Sequence, residues 1–189
     1  VSQREEILAS ALERFSLQGI AATSLQDIAD HASSSKGNVL YHFTSKEHLV
    51  DVVLLDALQA IEAIVLEAEV TGLVGADSRE GFVARFIDFL LEHRQGVQII
   101  VSHPYLADSI PALRQAQELM GRLARLFAAD ATEQSESLRF GIAVSGATYA
   151  LVAGNAVGIE ELPDAQLRPL LTDFLLNTLH LGALAPRVR

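Results

Sequence analysis

Cysteine and tryptophan are absent from this 189-residue chain, methionine occurs once and proline five times. Without cysteine there are no disulfides and no thiolate metal centres, and no redox compartment is implied. So little proline leaves room for long uninterrupted helices. Aromatics are 6% of the residues, eight Phe and three Tyr. β-branched alternation is nearly absent while Ala and Leu dominate, which predicts an all-α fold. No charged start followed by an apolar core opens the chain, so secretion is unsupported and the cytoplasm is expected. Lysine is scarce as well. The only two, Lys36 and Lys46, both lie in residues 23–49, TSLQDIADHASSSKGNVLYHFTSKEHL.

Catalytic signatures are also missing. There is no HExxH, phosphate loop, dinucleotide glycine pattern or nucleophile elbow, and Ser145-Gly146 follows Ala143-Val144 rather than the Gly-x that GxSxG requires. His93 and His103 are ten residues apart with no third zinc ligand beside them. No enzyme activity, metal or cofactor is expected.

The spacing of apolar residues organises what is present. Ile7, Leu8, Ala11, Leu12 and Phe15 predict a helix over 3–18, ended by Gly19. Ser24 and Asp27 form a capping-box pattern that opens a second helix, with Leu25, Ile28, Ala29 and Ala32 inward. Ser33-Ser34-Ser35 interrupts it with turn and cap hydroxyls, and a short third helix follows over 35–41, Val39 and Phe43 being on its buried side. Thr44, Ser45 and Glu47 signal a long fourth helix over 46–70, and Thr71–Asp77 reads as a linker. Helices over 78–94, 109–129, 135–159 and 164–184 complete the pattern, with a short one broken at His103-Pro104. A short helix, a serine turn and a compact second helix form the layout of a helix-turn-helix, which inserts its second helix into the DNA major groove.

The ordered set Arg4, Ile7, Ala11, Phe15, Gly19, Thr23, Ser24, Ile28, Ala29, Ala32, Ser35-Lys36-Gly37-Asn38, His42-Phe43, Ser45-Lys46 and Leu49 resembles the N-terminal domain of the TetR family of bacterial transcriptional regulators. The resemblance covers about a quarter of the chain. It departs at Ser33, where the family often has Gly, and at Leu40, where Tyr is usual; Tyr41 supplies an aromatic hydroxyl one step along. It implies a three-helix DNA-binding domain over 1–46 and a helical ligand-binding and dimerisation bundle over 47–189. The implied activity is that of a ligand-responsive repressor that binds a palindromic operator as a homodimer. A small-molecule effector would alter half-site spacing through the helix at 46–70.

Residue chemistry points the same way. A helix entering the groove needs small residues at its leading end and polar groups behind them. Ser34, Ser35, Lys36, Gly37 and Asn38 meet that need, Asn38 for adenine and Lys36 for guanine acceptors. Thr23, Ser24, Tyr41, His42 and Lys46 are candidates for phosphates. Charge opposes this reading, since the formal net charge is −10. Residues 1–50 carry four cations against six acids, a net of −2, so most of the excess acid lies elsewhere. The rival reading is an acidic all-helical protein-interaction module with no DNA affinity.

Phe140–Ile159 carries no charge and ends near a GxxxG at Gly154–Gly158, yet four glycines, Ser145, Thr148 and Asn155 make it a weak membrane span. A helix–helix interface explains the small residues better. The resemblance implies that the helices at 135–159 and 164–184 pair with their copies in a second subunit, with Gly146, Ala150, Gly154, Leu167, Leu171, Phe174 and Leu175 as the candidate dimer contacts. Phe86, Phe89, His93, Met120, Arg125, Phe127, Tyr149 and Asn155 are candidates for lining an effector pocket suited to an apolar or amphipathic compound.

Overall fold

Each of the first helices begins where a hydroxyl satisfies its unpaired N–H groups. In the computed structural model, which describes residues 2–73, 76–128, 134–152 and 162–179, α1 spans Gln3–Gln18. The Ser2 hydroxyl accepts from Glu5 N while Glu5 Oε2 accepts from Ser2 N, at 3.3 and 2.9 Å. α2 (Leu25–His31) repeats the device: Asp27 N donates to Ser24 Oγ at 3.1 Å and Ser24 N to Asp27 Oδ2 at 2.8 Å. Ser35 caps α3 (Lys36–His42) by accepting from Asn38 N at 3.1 Å. Ser45 Oγ accepts from His48 N at 3.1 Å at the start of α4 (Lys46–Thr71). The starts expected from sequence agree with these to within a residue.

The exits use backbone geometry. α2 ends in a Schellman turn, with Ser34 N donating to Ala29 O at 2.8 Å and Ser33 N to Asp30 O at 3.2 Å. This places Ser33 at φ 49, the left-handed region. A glycine at this position would adopt it without strain. Gly19, which ends α1, has φ 86 and ψ 157, a combination open to glycine alone.

The remaining elements are α5 (Ala76–Glu92), α6 (Arg94–Ser102), a 3-10 turn at Pro104–Leu106, α7 (Pro111–Ala128), α8 (Gln134–Val152) and α9 (Asp164–Thr178). Every element among the described residues is helical. The chain divides into two compact units, Val1–Gln59 with Gln95–Glu118, and Ala60–Arg94 with Leu119–Arg189. The boundary expected at 46/47 falls inside the first unit. The start of α4, α6 and the start of α7 belong there because specific bonds tie them in. Asp51 Oδ1 accepts from Ala112 N at 2.8 Å at the α7 N-terminus, and His103 Nε2 accepts from Ile20 N at 3.2 Å. Ile7, Phe15, Ile28, Val39, Phe43 and Leu49 are wholly buried in this unit's core.

The second unit is built on aromatic contacts and ion pairs. Phe82 stacks on Phe86 with centroids 5.8 Å apart and meets Phe127 edge-on at 5.4 Å, and Phe127 stacks on Phe140 at 4.8 Å. α9 packs against α5 and α8. Arg94–Asp164 at 2.8 Å and the Arg168–Asp88 pair join α9 to residues 88–94. The Arg122 guanidinium grips both oxygens of Glu69 at 2.8 and 2.5 Å. No helix among the described residues is long and apolar enough to cross a membrane.

The packing corrects several candidate positions in this unit. Leu171 and Leu175 are 6% and 1% exposed, turned into the unit's own core rather than available to a partner copy. Their neighbours Leu170 and Phe174 are the outward pair, 59% and 39% exposed. Leu167 and Ala150 are half-buried and Gly146 is exposed. Among the effector candidates, Phe86 and Phe89 are buried, and His93, Met120 and Phe127 are half-buried, the His93 ring lying 5.4 Å from Phe89. Tyr149 is 55% exposed and Arg125 is exposed, so neither lines an interior surface of the unit. Gly154, Asn155 and the helix end expected at 159 lie outside the described residues, whereas the last helix, expected to run to 184, stops at Thr178 with Leu179 as its C-cap.

Candidate nucleic-acid interface

The serine turn between α2 and α3 sets the leading end of the second helix. Ser35 spends its hydroxyl on the Asn38 N–H as the N-cap, and Ser34 Oγ accepts from Asn38 Nδ2 at 3.0 Å. Asn38 is thereby held in one orientation with its Oδ1 and one N–H uncommitted by this bond. Lys36 and Gly37 are exposed at the first turn. Among the described residues no hydrogen bond or ion pair engages the Lys36 ammonium. A Cβ built at Gly37 would meet nothing closer than Ser35 Oγ at 3.9 Å. Packing within the protein therefore does not require glycine here, although glycine costs a helix about 1 kcal/mol relative to alanine. A glycine at this point leaves room for another molecule's surface to come close to the helix backbone.

The rest of α3 separates cleanly. Val39 and Phe43 are wholly buried, whereas Tyr41 is 83% exposed with its ring against His42 at 5.2 Å. His42 is half-buried. Arg4 lies over the Phe43 ring at 5.4 Å, a cation–π contact that fastens α1 beneath the second helix.

Two candidates have other employment. Thr23 is 1% exposed, and its hydroxyl donates to Gly19 O at 2.9 Å, with Arg14 O at 3.3 Å. A buried hydroxyl whose one proton is committed to a carbonyl has none for a phosphate, so Thr23 closes the α1–α2 turn instead. Lys46 is half-buried, and its ammonium donates to Ile20 O at 2.9 Å and Thr23 O at 3.2 Å. It straps that same turn to the start of α4 and keeps one further N–H. Ser24 is exposed at the α2 N-terminus.

Two acidic residues here are held at helix starts. The Ser24 hydroxyl and backbone N–H bonded to Asp27 hold its carboxyl below the ordinary aspartate range. Its charge is met by the unpaired N–H groups of a helix start. Glu47 is likewise held low, chiefly by its own backbone N–H and then by Ser45.

His103 has a bonding role that its place in the sequence does not signal. Its Nδ1 lies 2.9 Å from Ile99 O, which only accepts, and its Nε2 accepts from Ile20 N–H, so a single neutral tautomer satisfies both. Nothing local marks this residue, since its partner is 83 positions away.

Residues 7–53 match the model of the bacterial regulatory proteins of the tetR family. The helix-turn-helix segment of this chain is thus similar to the N-terminal domain of that family. Over 57 residues it is 44% identical to the HTH-type transcriptional repressor KstR2 of Mycolicibacterium smegmatis, a match spanning 30% of this chain and 28% of that protein. The HTH-type transcriptional regulator RutR of Escherichia coli is also 44% identical over 57 residues, 30% of this chain and 27% of RutR. The matched segment thus spans little more than a quarter of these curated relatives. The fold likeness extends further. A TetR-family transcriptional regulator from Bordetella parapertussis aligns with a TM-score of 0.68 at 18% identity, covering 91% of this chain and 93% of that one. The ketosteroid transcriptional regulator KstR2 of Mycobacterium tuberculosis aligns at 0.65 and 21% identity, covering 95% and 94%. The sequence likeness is concentrated in the helix-turn-helix; beyond it, the fold is what is shared.

Proposed function

We propose that the chain is a transcriptional repressor, not an enzyme, acting in the cytoplasm. It binds a palindromic operator as a homodimer and is released by an apolar or amphipathic effector. The observation that carries the DNA reading is the first turn of α3, where an unengaged Lys36 stands beside a glycine that no internal contact requires. Lys36, Gly37 and Asn38 approach base edges, while Ser24, Ser34, Tyr41, His42 and the remaining N–H of Lys46 serve phosphates. Ser35 acts through its cap. Residues 1–46 are the reading head and 47–189 the regulatory and dimerising part.

Support for a dimer comes from an apolar surface on two neighbouring helices. On α8, Leu138, Ile142 and Tyr149 are 64%, 56% and 55% exposed and recur at helical spacing. On α9, Leu170 and Phe174 are exposed too, and a Cβ at Gly146 would lie 3.5 Å from the Phe174 ring. The two stripes are therefore continuous, as an interface between copies requires. Support for the effector comes from the aromatic cluster of Phe82, Phe86, Phe89 and Phe127, side chains of the kind that line sites for apolar ligands. A ligand preferring the non-binding conformer by about 5.5 kcal/mol moves such a dimer from nearly all bound to nearly all released.

Selection of bound duplexes from a random DNA pool, followed by anisotropy across a salt series, tests the reading. An inverted repeat bound with steep salt dependence is expected. A folded protein that enriches no motif at low salt would instead be an acidic helical interaction module.

A further inference from the structure

We propose that Leu40 reads a thymine methyl group in the major groove and is a specificity-determining residue of α3. The proposal rests on the DNA-binding reading above. Leu40 is 40% exposed, although its neighbours Val39 and Phe43 in and beside the same seven-residue helix are wholly buried. Burial of its side chain is therefore unfinished within the chain, and its methyl groups gain most from an outside contact.

Its surroundings say what that contact is. Lys36 precedes Leu40 by one helical turn, so the two share a side of α3. Gly37 lies three positions before Leu40 and four before Tyr41, so both side chains border the space its missing Cβ leaves open. The result is a shallow hollow on the helix surface with an apolar wall at Leu40 and a cation beside it. A leucine has neither donor nor acceptor and contributes nothing at a phosphate oxygen. Among the groups that base pairs present in the major groove, the thymine C5-methyl is the one an apolar side chain distinguishes. Leu40 thus separates thymine from the other bases by burying that methyl.

The test replaces each thymine of the selected operator, one at a time, with deoxyuridine, which removes only the methyl. Binding of the full chain and of Leu40→Ala is measured by anisotropy at fixed salt, with circular dichroism to check the fold of the variant. For the unaltered protein, one thymine in each half-site is expected to show about a fourfold loss, the worth of one buried methyl. Leu40→Ala should bind the two duplexes equally, and Leu40→Met, which keeps an apolar contact, should retain most of the discrimination. An unaltered protein indifferent to every replacement overturns the role of Leu40, as does an Ala variant with the same thymine preference. In either case, tight and salt-dependent binding leaves the DNA reading standing. A protein that enriches no duplex overturns both.

Discussion

The backbone N–H of Ile20 donates to His103 Nε2 at 3.2 Å, so a side chain 83 residues away closes the turn that leads into α2. Ile20 is 3% exposed and His103 is 7% exposed, so water does not readily replace the bond. His103→Ala should cost about 1–3 kcal/mol in urea denaturation, the penalty for stranding a buried donor. His103→Gln, whose side-chain carbonyl can accept, should recover part of it.

Two backbone positions should respond with opposite sign. Gly19→Ala forces a Cβ to within 3.0 Å of His103 Nε2 at φ 86 and should destabilise by about 1–3 kcal/mol. Ser33→Gly relieves a left-handed residue at φ 49 and should stabilise by about 0.5–1 kcal/mol, offset in part by the greater freedom of glycine in the unfolded chain. Thermal unfolding of the two variants checks both.

The two lysines should separate in binding experiments. Lys36→Ala should weaken the operator complex by about 1–3 kcal/mol and relax sequence choice at one base pair, with stability unchanged. Lys46→Ala should weaken all sequences evenly, lower the salt slope by about 1, and also destabilise the fold, because Ile20 O and Thr23 O lose their donor. Anisotropy on matched and mismatched duplexes, paired with denaturation, reads both effects.

Acid should release the α2 cap. The Asp27 carboxyl is held below its ordinary value near 3.8 by the Ser24 hydroxyl and N–H. Its contribution is therefore full above the unfolded value and is lost as pH falls through the lower folded one. Asp27→Asn should be less stable than the unaltered chain at neutral pH, and the gap should close as pH drops below about 3.8. Denaturation midpoints at a series of pH values give the comparison.

Neighbouring residues on α9 should behave differently. Phe174→Glu puts a charge on the exposed apolar surface and should weaken self-association by at least about tenfold, some 1.4 kcal/mol, with the protomer still folded. Leu171→Glu buries an unpaired charge and should unfold the unit instead. Sedimentation and circular dichroism tell the two outcomes apart.

Local chemistry determined much of the head. Ser24 with Asp27, the serine run, and Gly19 mark starts and stops within four residues of the groups they satisfy, so α1, α2 and α3 were legible from sequence within a residue or so. The exposed first turn of α3 was legible for the same reason, as Lys36 and Gly37 break the apolar spacing of Val39 and Phe43. Thr23 and Lys46 were not. A hydroxyl and an ammonium read as free until the fold brings the carbonyls of Gly19, Ile20 and Thr23 to them.

In α9 the leucines at 167, 170, 171 and 175, with Phe174, are spread around more of the helix than one face covers. Periodicity alone admits either pair as the inward one. Packing against α5 and α8 selected Leu171 and Leu175, and left Leu170 and Phe174 outside. His103 likewise acquired its role only from a partner 83 residues away. The sequence by itself determined where the first four helices begin, because caps and turns act over a few residues. Tertiary structure decided which side chains remain unengaged, because the partners that engage them come from distant parts of the chain.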